Sequence, residues 1–308
     1  MILVINLNTS VDKRYEIEDI QKGKVMRART VENTPGGKGI HVANVATILK
    51  EDCIATGFLG GKTGEFIEEK LKEYGIKQDF VKIKGDSREC LAFITDDYMQ
   101  TEILEPGPEI SETEKQNFFQ KYIELIEEAE VIVASGSVPR NVEKNYYRSL
   151  IELANHKNKK FLLDTSGDLL LEGIKGKPFF IKPNKDEIEA IRGKEIKNEQ
   201  DAIDEIKNFQ KMGISFVVIS LGAKGSIAGY DGKFYRVIVP KIRAVNPVGS
   251  GDSYVAGIAI GLHRGYSIED TLKLAAACGT ANALEKETGF VKEEVVNDLI
   301  NKIDVAEI

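Results

Sequence analysis

An aspartate just inside a helix start, behind a glycine pair, can take up a proton while backbone N–H groups bind an anion. The stretch Asn246-Pro247-Val248-Gly249-Ser250-Gly251-Asp252-Ser253 has this form and leads into the small-residue run Ser253–Gly261. Helix N-termini bind anions because their first N–H groups lack intrahelical acceptors and the positive end of the dipole lies there. Asp252 could act as a base while Gly249, Ser250 and Gly251 hold developing phosphate charge. The plainer reading is a tight turn with Asp252 as a helix cap, and the spacing alone does not choose between the two.

A second cluster, Pro35-Gly36-Gly37-Lys38-Gly39-Ile40-His41, sets three glycines around one lysine ahead of a helix. Such a loop admits close approach of backbone to a polar ligand, and its lysine can meet a phosphate. Taken alone it reads better as a flexible turn with a solvated lysine. In Lys182-Pro183-Asn184-Lys185-Asp186-Glu187, the side chains of Asn184 and Glu187 share one side of a helix start. Their oxygens suit Mg²⁺, directly or through water. They equally suit an Asn cap with a capping-box Glu, and both readings can hold together. Asp12 closes the first strand, where a carboxylate binds sugar hydroxyls or merely starts a turn. Asp12, Ser137, Asn184 and Ser220 all fall at strand ends, where ligands gather in a parallel sheet.

Two look-alikes are set aside. Gly57-Phe58-Leu59-Gly60-Gly61-Lys62-Thr63 mimics a phosphate-binding P-loop, but the pattern needs glycine where Thr56 stands. No GxGxxG fingerprint occurs, and Gly222-Ala223-Lys224-Gly225 lacks its spacing and runs into a strand.

The elements that must position these residues alternate along the chain. Ile2–Asn8, Ile54–Leu59, Val131–Ser135, Phe161–Asp164, Phe179–Lys182 and Phe216–Ser220 read as buried strands. Gly39–Lys50, Thr63–Tyr74, Ser111–Glu130, Lys144–His156, Lys185–Arg192 and Glu199–Lys211 read as helices between them, the third opening on the capping-box pair Ser111 and Glu114. The alternation predicts an α/β fold, a parallel sheet covered on both faces. Arg14–Thr34 and Val81–Leu104 lack long helices and predict a small projecting sheet. Gly225–Val239 predicts a hairpin turning at Asp231-Gly232, followed by helices over Ser250–Arg264 and Ile268–Glu285.

Composition excludes more than it assigns. Against 42 Lys+Arg stand 49 Asp+Glu, a net charge of −7, with no long basic run, which argues against nucleic-acid binding. No segment has the apolar length of a membrane span or the form of a signal peptide. Cys53, Cys90 and Cys278 share no metal spacing and read as reduced core thiols of a cytoplasmic protein. Locally the balance differs: Lys22–His41 carries five cationic residues against Glu32 alone, which favours an anionic ligand there.

With these motifs assembled, the chain resembles the PfkB/ribokinase family of carbohydrate kinases over essentially its whole length. PGGKGIHVAN at Pro35–Asn44 and NPVGSGDSYVAG at Asn246–Gly257 carry the resemblance, with SGSVP at Ser135–Pro139, KPNKDE at Lys182–Glu187 and SLGAKGS at Ser220–Ser226 between them. The SGS and GGKG motifs look like the hexose-phosphate branch. The resemblance implies a ribokinase-like three-layer sandwich, residues 1–308 as one domain, with a β-sheet lid over roughly 12–34 and 81–105 that often serves dimerisation. It implies ATP-dependent, Mg²⁺-assisted phosphorylation of a ketohexose monophosphate. TEILEPGPEI (Thr101–Ile110) and FYRVIVPKI (Phe234–Ile242) put tagatose 6-phosphate first and fructose 1-phosphate second. Asp252 then corresponds to the catalytic base, and Gly249, Ser250 and Gly251 to the anion hole. Asn184 and Glu187 match the Mg²⁺-associated motif. Ser220, Gly222, Gly225 and Asn282 match the nucleotide side, the last near the adenine. Asp12, Gly37, Lys38 and Ser137 match the sugar side, with Arg88 and its companion Arg27 meeting the substrate phosphate. His41 stands where relatives usually have an Asn that contacts sugar, and Ser250 replaces a commoner Ala without loss of the backbone N–H. A sugar-phosphate sensor without activity is the alternative from another class, and the intact Asp252 and glycine loop argue against it.

Overall fold

The computed structural model describes residues 1–97, 99–193 and 195–308; Tyr98, inside the second expected lid segment, lies outside them. A central sheet dominates. Its strands are ordered Asp304–Glu307, Lys233–Ile238, Ser226–Tyr230, Phe216–Ser220, Phe180–Ile181, Lys160–Asp164, Val131–Ser135, Ile2–Asn6, Cys53–Gly60 and Lys77–Gln78. From Phe216–Ser220 to Lys77–Gln78 the pairing is parallel, and the strands beyond Phe216–Ser220 are antiparallel.

Side chains alternate across a strand, so each buried strand feeds two cores. Ile2 and Val4 join one apolar cluster while Leu3 and Ile5 join the other, and Phe216 and Val218 divide from Val217 and Ile219 in the same way. The first cluster packs Lys38–Ile48, Gly61–Glu73, Ser250–His263, Ile268–Ala283 and Glu293–Ile300 on one face. The second packs Glu112–Glu128, Tyr146–His156, Gly167–Gly173, Lys185–Arg192 and Glu199–Lys211 on the other. The expected three-layer arrangement is present. Ser111 and Glu114 form the capping box, with Ser111 N–H donating to Glu114 Oε2 at 2.8 Å. The hairpin turns at Asp231 and Gly232, both at positive φ. Cys53, Cys90 and Cys278 are buried free thiols, and burial pushes Cys53 and Cys278 up to about 12. Among the described residues no helix is long and apolar enough to cross a membrane.

A separate small sheet, ordered Thr30–Gly36, Ser10–Glu16, Arg88–Ile94 and Gln100–Leu104, stands off the main one. It occupies the expected lid region with one correction. Val81–Ile83 pairs with Phe58–Gly60 of the central sheet and is not part of the lid. In this small sheet Ser10 lies opposite both Gly36 and Arg88. That register brings the start of Ser10–Glu16, the glycine-rich loop and Arg88 level with one another. Asp12, expected to close the first strand, instead lies inside Ser10–Glu16, because the first strand ends at Asn6.

Candidate active site

A cleft of about 620 Å³ runs between the lid and the carboxyl ends of the parallel strands. It brings together Asp12, Gly37, Lys38, His41, Arg88, Ser137, Asn184, Glu187, Ser220, Gly249, Gly251 and Asp252, residues drawn from all the sequence motifs.

The two glycine loops form its floor for steric reasons. A Cβ on Gly36 would fall 2.1 Å from the Asp12 carboxylate, so only glycine lets the loop pass that strand. Gly249 sits at φ 81° as the N-cap of Ser250–His263, and it, Gly251 and Asp252 in the first turn line the cleft. Asp252 lies in that first turn and is buried. The small-residue character of the helix has its own cause: a Cβ on Gly257 would approach Ala275 Cα to 2.5 Å.

Cations surround the floor. Lys38 Nζ lies 3.9 Å from Asp164 Oδ2, and Lys182 Nζ lies 3.5 Å from Asp164 Oδ1. The charge of Asp164, opposed by burial and helped by that of Asp252, holds the Lys38 ammonium above its ordinary range. For Asp164, burial works against ionisation, but Lys182 and Lys38 hold the carboxyl below its ordinary value. Neither Asp164 nor Lys182 was singled out from sequence. Lys182 is buried, and its Nζ would lie 3.3 Å from a Cβ on Gly251, beside the anion-binding turn. The available signal was a lysine and an aspartate at the ends of adjacent buried strands.

On the lid side, Ser10 Oγ donates to Asp12 Oδ1 at 2.7 Å. Arg88 is oriented by donating Nε–H to the Asn8 carbonyl at 3.2 Å and NH1 to the Glu105 carbonyl at 2.9 Å. Asn8 Nδ2 donates to Ser137 Oγ at 3.0 Å. Arg27 does not join them. It lies exposed outside the cleft lining, in the connection whose Arg29 pairs with Asp96 at the lid's far end.

Asn184 and Glu187 form a complete capping box: Glu187 N–H donates to Asn184 Oδ1 at 2.8 Å and Asn184 N–H to Glu187 Oε2 at 2.9 Å. Both residues line the cleft, Glu187 keeps one carboxylate oxygen outside the capping box, and among the described residues no group of three His, Cys, Asp or Glu could cage a metal. That donor set fits Mg²⁺, which keeps waters and shares phosphate ligands, and does not fit an all-protein cage.

The nucleotide-side residues divide. Ser220 lines the cleft, and Gly222 and Gly225 shape the turn that follows it, both at positive φ. Asn282 is corrected. It is fully buried, donating Nδ2 to the Val248 carbonyl at 2.8 Å and accepting from Gly289 N–H at 2.8 Å and Ser253 Oγ at 3.2 Å. Its amide braces the turn of residues 248–250 from behind and has no face left for an adenine.

Known proteins share this architecture. The model of the pfkB family carbohydrate kinases matches residues 3–294. Tagatose-6-phosphate kinase of Staphylococcus epidermidis is 40% identical over 314 residues, spanning 100% of both chains. Phosphofructokinase-2 of Escherichia coli, solved in complex with substrates and products, superposes with a TM-score of 0.92 over 98% of each chain at 24% identity. Ribokinase of Arabidopsis thaliana, complexed with ribose and ATP, gives 0.82 over 97% of this chain and 98% of that one at 20% identity. The two structures share the fold; the match over residues 3–294 and the full-length identity go further, and by them the chain belongs to the pfkB family of carbohydrate kinases.

Proposed function

We propose that this kinase transfers the γ-phosphoryl group of ATP to a hydroxyl of a ketohexose monophosphate, tagatose 6-phosphate before fructose 1-phosphate. The observation that carries the reading is the buried Asp252 carboxylate in the first turn of Ser250–His263, facing the cleft among Lys38, Lys182 and Arg88. A relative 40% identical over the full length of both chains is itself a tagatose-6-phosphate kinase.

In this reading Asp12, Gly37 and Ser137 seat the sugar, while Lys38 and Arg88 hold the phosphate it already carries. Asp252 accepts the proton of the attacking hydroxyl. The new O–P bond forms as the bond to the bridging oxygen breaks, and the electron pair leaves on ADP. The N–H groups of Gly249, Ser250 and Gly251, with the Lys182 ammonium, hold the charge of the group in flight, because phosphoryl transfer depends mainly on positioning and charge stabilisation. Asn184 and Glu187 would hold Mg²⁺, which when bound neutralises donor phosphate oxygens. Ser220, Gly222 and Gly225 border the nucleotide.

The lid face turned from the cleft carries the stacked pair Tyr15–Phe93, with Val31 and Ile103 exposed beside it. A second copy of the chain seats there.

A coupled ADP-release assay tests the activity. The value of kcat/KM is expected to be highest for tagatose 6-phosphate, below it for fructose 1-phosphate, and lower for fructose 6-phosphate. Asp252→Asn should lower kcat about 10²–10⁴-fold with little change in KM. No ADP release with any of the three sugar phosphates, or near-normal turnover of Asp252→Asn, overturns the reading.

A further inference from the structure

His41 lies between two carboxylates that come from distant parts of the chain. Its Nδ1 is 2.8 Å from Asp252 Oδ2 and its Nε2 is 3.5 Å from Asp12 Oδ2. The ring is buried in the first turn of Lys38–Ile48, and Gly289 is packed so tightly on it that a Cβ there would fall 2.4 Å from His41 Cβ. A neutral imidazole has one N–H and can serve one carboxylate. Only the imidazolium donates from both nitrogens.

The charged surroundings agree. Asp12 faces the ring from the lid strand Ser10–Glu16 and Asp252 from the helix Ser250–His263. On its own helix, Lys38 turns toward Asp164. Arg88 acts on Asp12 from the neighbouring lid strand, and Lys286 and Glu287, which cancel, line the same cleft beyond the Ile268–Ala283 helix. Burial, the largest single influence, would push His41 down, but the contacts with Asp12 and Asp252 and the charges of both carboxylates together outweigh it and hold the ring up to about 10.

We propose that His41 is a positioning residue, an imidazolium that is hydrogen-bonded to the base Asp252 and ion-paired at 3.5 Å with the sugar-binding Asp12. Both ring nitrogens are engaged, so His41 acts through the carboxylates instead of touching the sugar as the residue at this place was expected to do. Holding Oδ2 of Asp252 leaves Oδ1 to receive the substrate proton, and His41 keeps both of its own. Asp12 and Asp252 are thereby set at a fixed separation, so a hydroxyl seated by one meets the other. The inference rests on the reading of Asp252 as the base.

The test joins a spectroscopic and a kinetic measurement. The chain has 3 His, so histidine-selective ¹³C labelling with His156→Gln and His263→Gln controls assigns the His41 resonance. In the wild type that resonance is expected to stay in its protonated position up to pH 9. In Asp12→Asn and Asp252→Asn its titration is expected to move down by about one unit or more. His41→Asn and His41→Gln should each lose about 10- to 100-fold in kcat, the cost of misplacing reacting groups by about an ångström. A wild-type His41 that titrates near 6.5 overturns the inference, even if the position 41 variants fail to fold. So do position 41 variants whose kcat stays within twofold while Asp252→Asn is inactive, and in that case the base assignment stands. An active Asp252→Asn removes the base assignment itself.

Discussion

Replacing Asn282 by alanine tests whether the anion-binding turn is braced from within. The side chain is fully buried and holds the Val248 carbonyl, the Gly289 N–H and the Ser253 hydroxyl. The truncation strips all three of this partner, and with them the Ser250 hydroxyl 3.4 Å from the same Nδ2. A buried polar group left unpaired costs about 1–3 kcal/mol. The Ser250 and Ser253 hydroxyls can rotate to other partners, which leaves the two backbone groups and a loss of about 3 kcal/mol. Unfolding entropy of about 2.1 cal/mol/K per residue amounts to about 0.6 kcal/mol/K over 308 residues. The melting temperature should therefore fall by about 5 °C. Because Val248 precedes the turn and Gly289 backs His41, kcat should fall about tenfold as well. Asn282→Asp keeps an acceptor for Gly289 but removes the donor to Val248 and buries a charge, so it should be no better. Differential scanning calorimetry and steady-state kinetics on the same preparations decide the matter. An Asn282→Ala enzyme melting within 1 °C of wild type, whose only defect is a raised KM for ATP, would refute the bracing argument and return Asn282 to the nucleotide.

Other perturbations follow from the same geometry. Asp164→Asn leaves Lys182 buried without its carboxylate and should cost about 3–5 kcal/mol by urea denaturation at pH 7. Asp164 is held below its ordinary value in the folded state, so its contribution is present above the unfolded carboxylate range and is lost as pH falls through the folded value; the gap between wild type and Asp164→Asn should narrow on acidification. His41 has the opposite sign. Raised from 6.5 to about 10, it contributes fully below pH 6.5 and its contribution is lost as pH rises through about 10, so wild type and His41→Asn should converge in stability over that window. A gap that stays constant from pH 6 to 10 counts against the imidazolium. Gly257→Val drives a side chain into the Ala275 backbone and should destabilise by at least about 1–3 kcal/mol in thermal unfolding. Equilibrium sedimentation should give a dimer that Val31→Glu or Ile103→Glu dissociates.

The main sheet was legible because buried parallel strands are continuous apolar runs, and Val131–Ser135 and Phe216–Ser220 fall where those runs lie. Val81–Ile83 was not. Three residues hold no period, and only its pairing with Phe58–Gly60 assigns it to the central sheet. Glu293–Ile300 and Asp304–Glu307 went unread for a similar reason, being short and lacking a glycine or proline signal between them. In the cleft, glycine motifs announce themselves because their spacing is local. The pairing of His41 with Asp252, 211 residues apart, is a product of packing. Asp164 and Ser135 meet because neighbouring strands bring them level.

The placement of Ser10 opposite both Gly36 and Arg88 makes the small sheet one wall of the cleft, on the side proposed to face the sugar. In the proposed reading Asp12 and Arg88 reach the sugar from this small sheet, while Gly37, Lys38, Ser137 and the phosphoryl-transfer groups belong to the central sheet and its helices. Exchanging the strands of the small sheet between related kinases would therefore move Asp12 and Arg88 but leave Lys38 and Ser137 behind. Residue 41 breaks the partition, since it sits on a core helix yet touches the lid's Asp12. A transplanted lid has to bring its own residue 41, or the recipient's base will be aimed by the wrong partner.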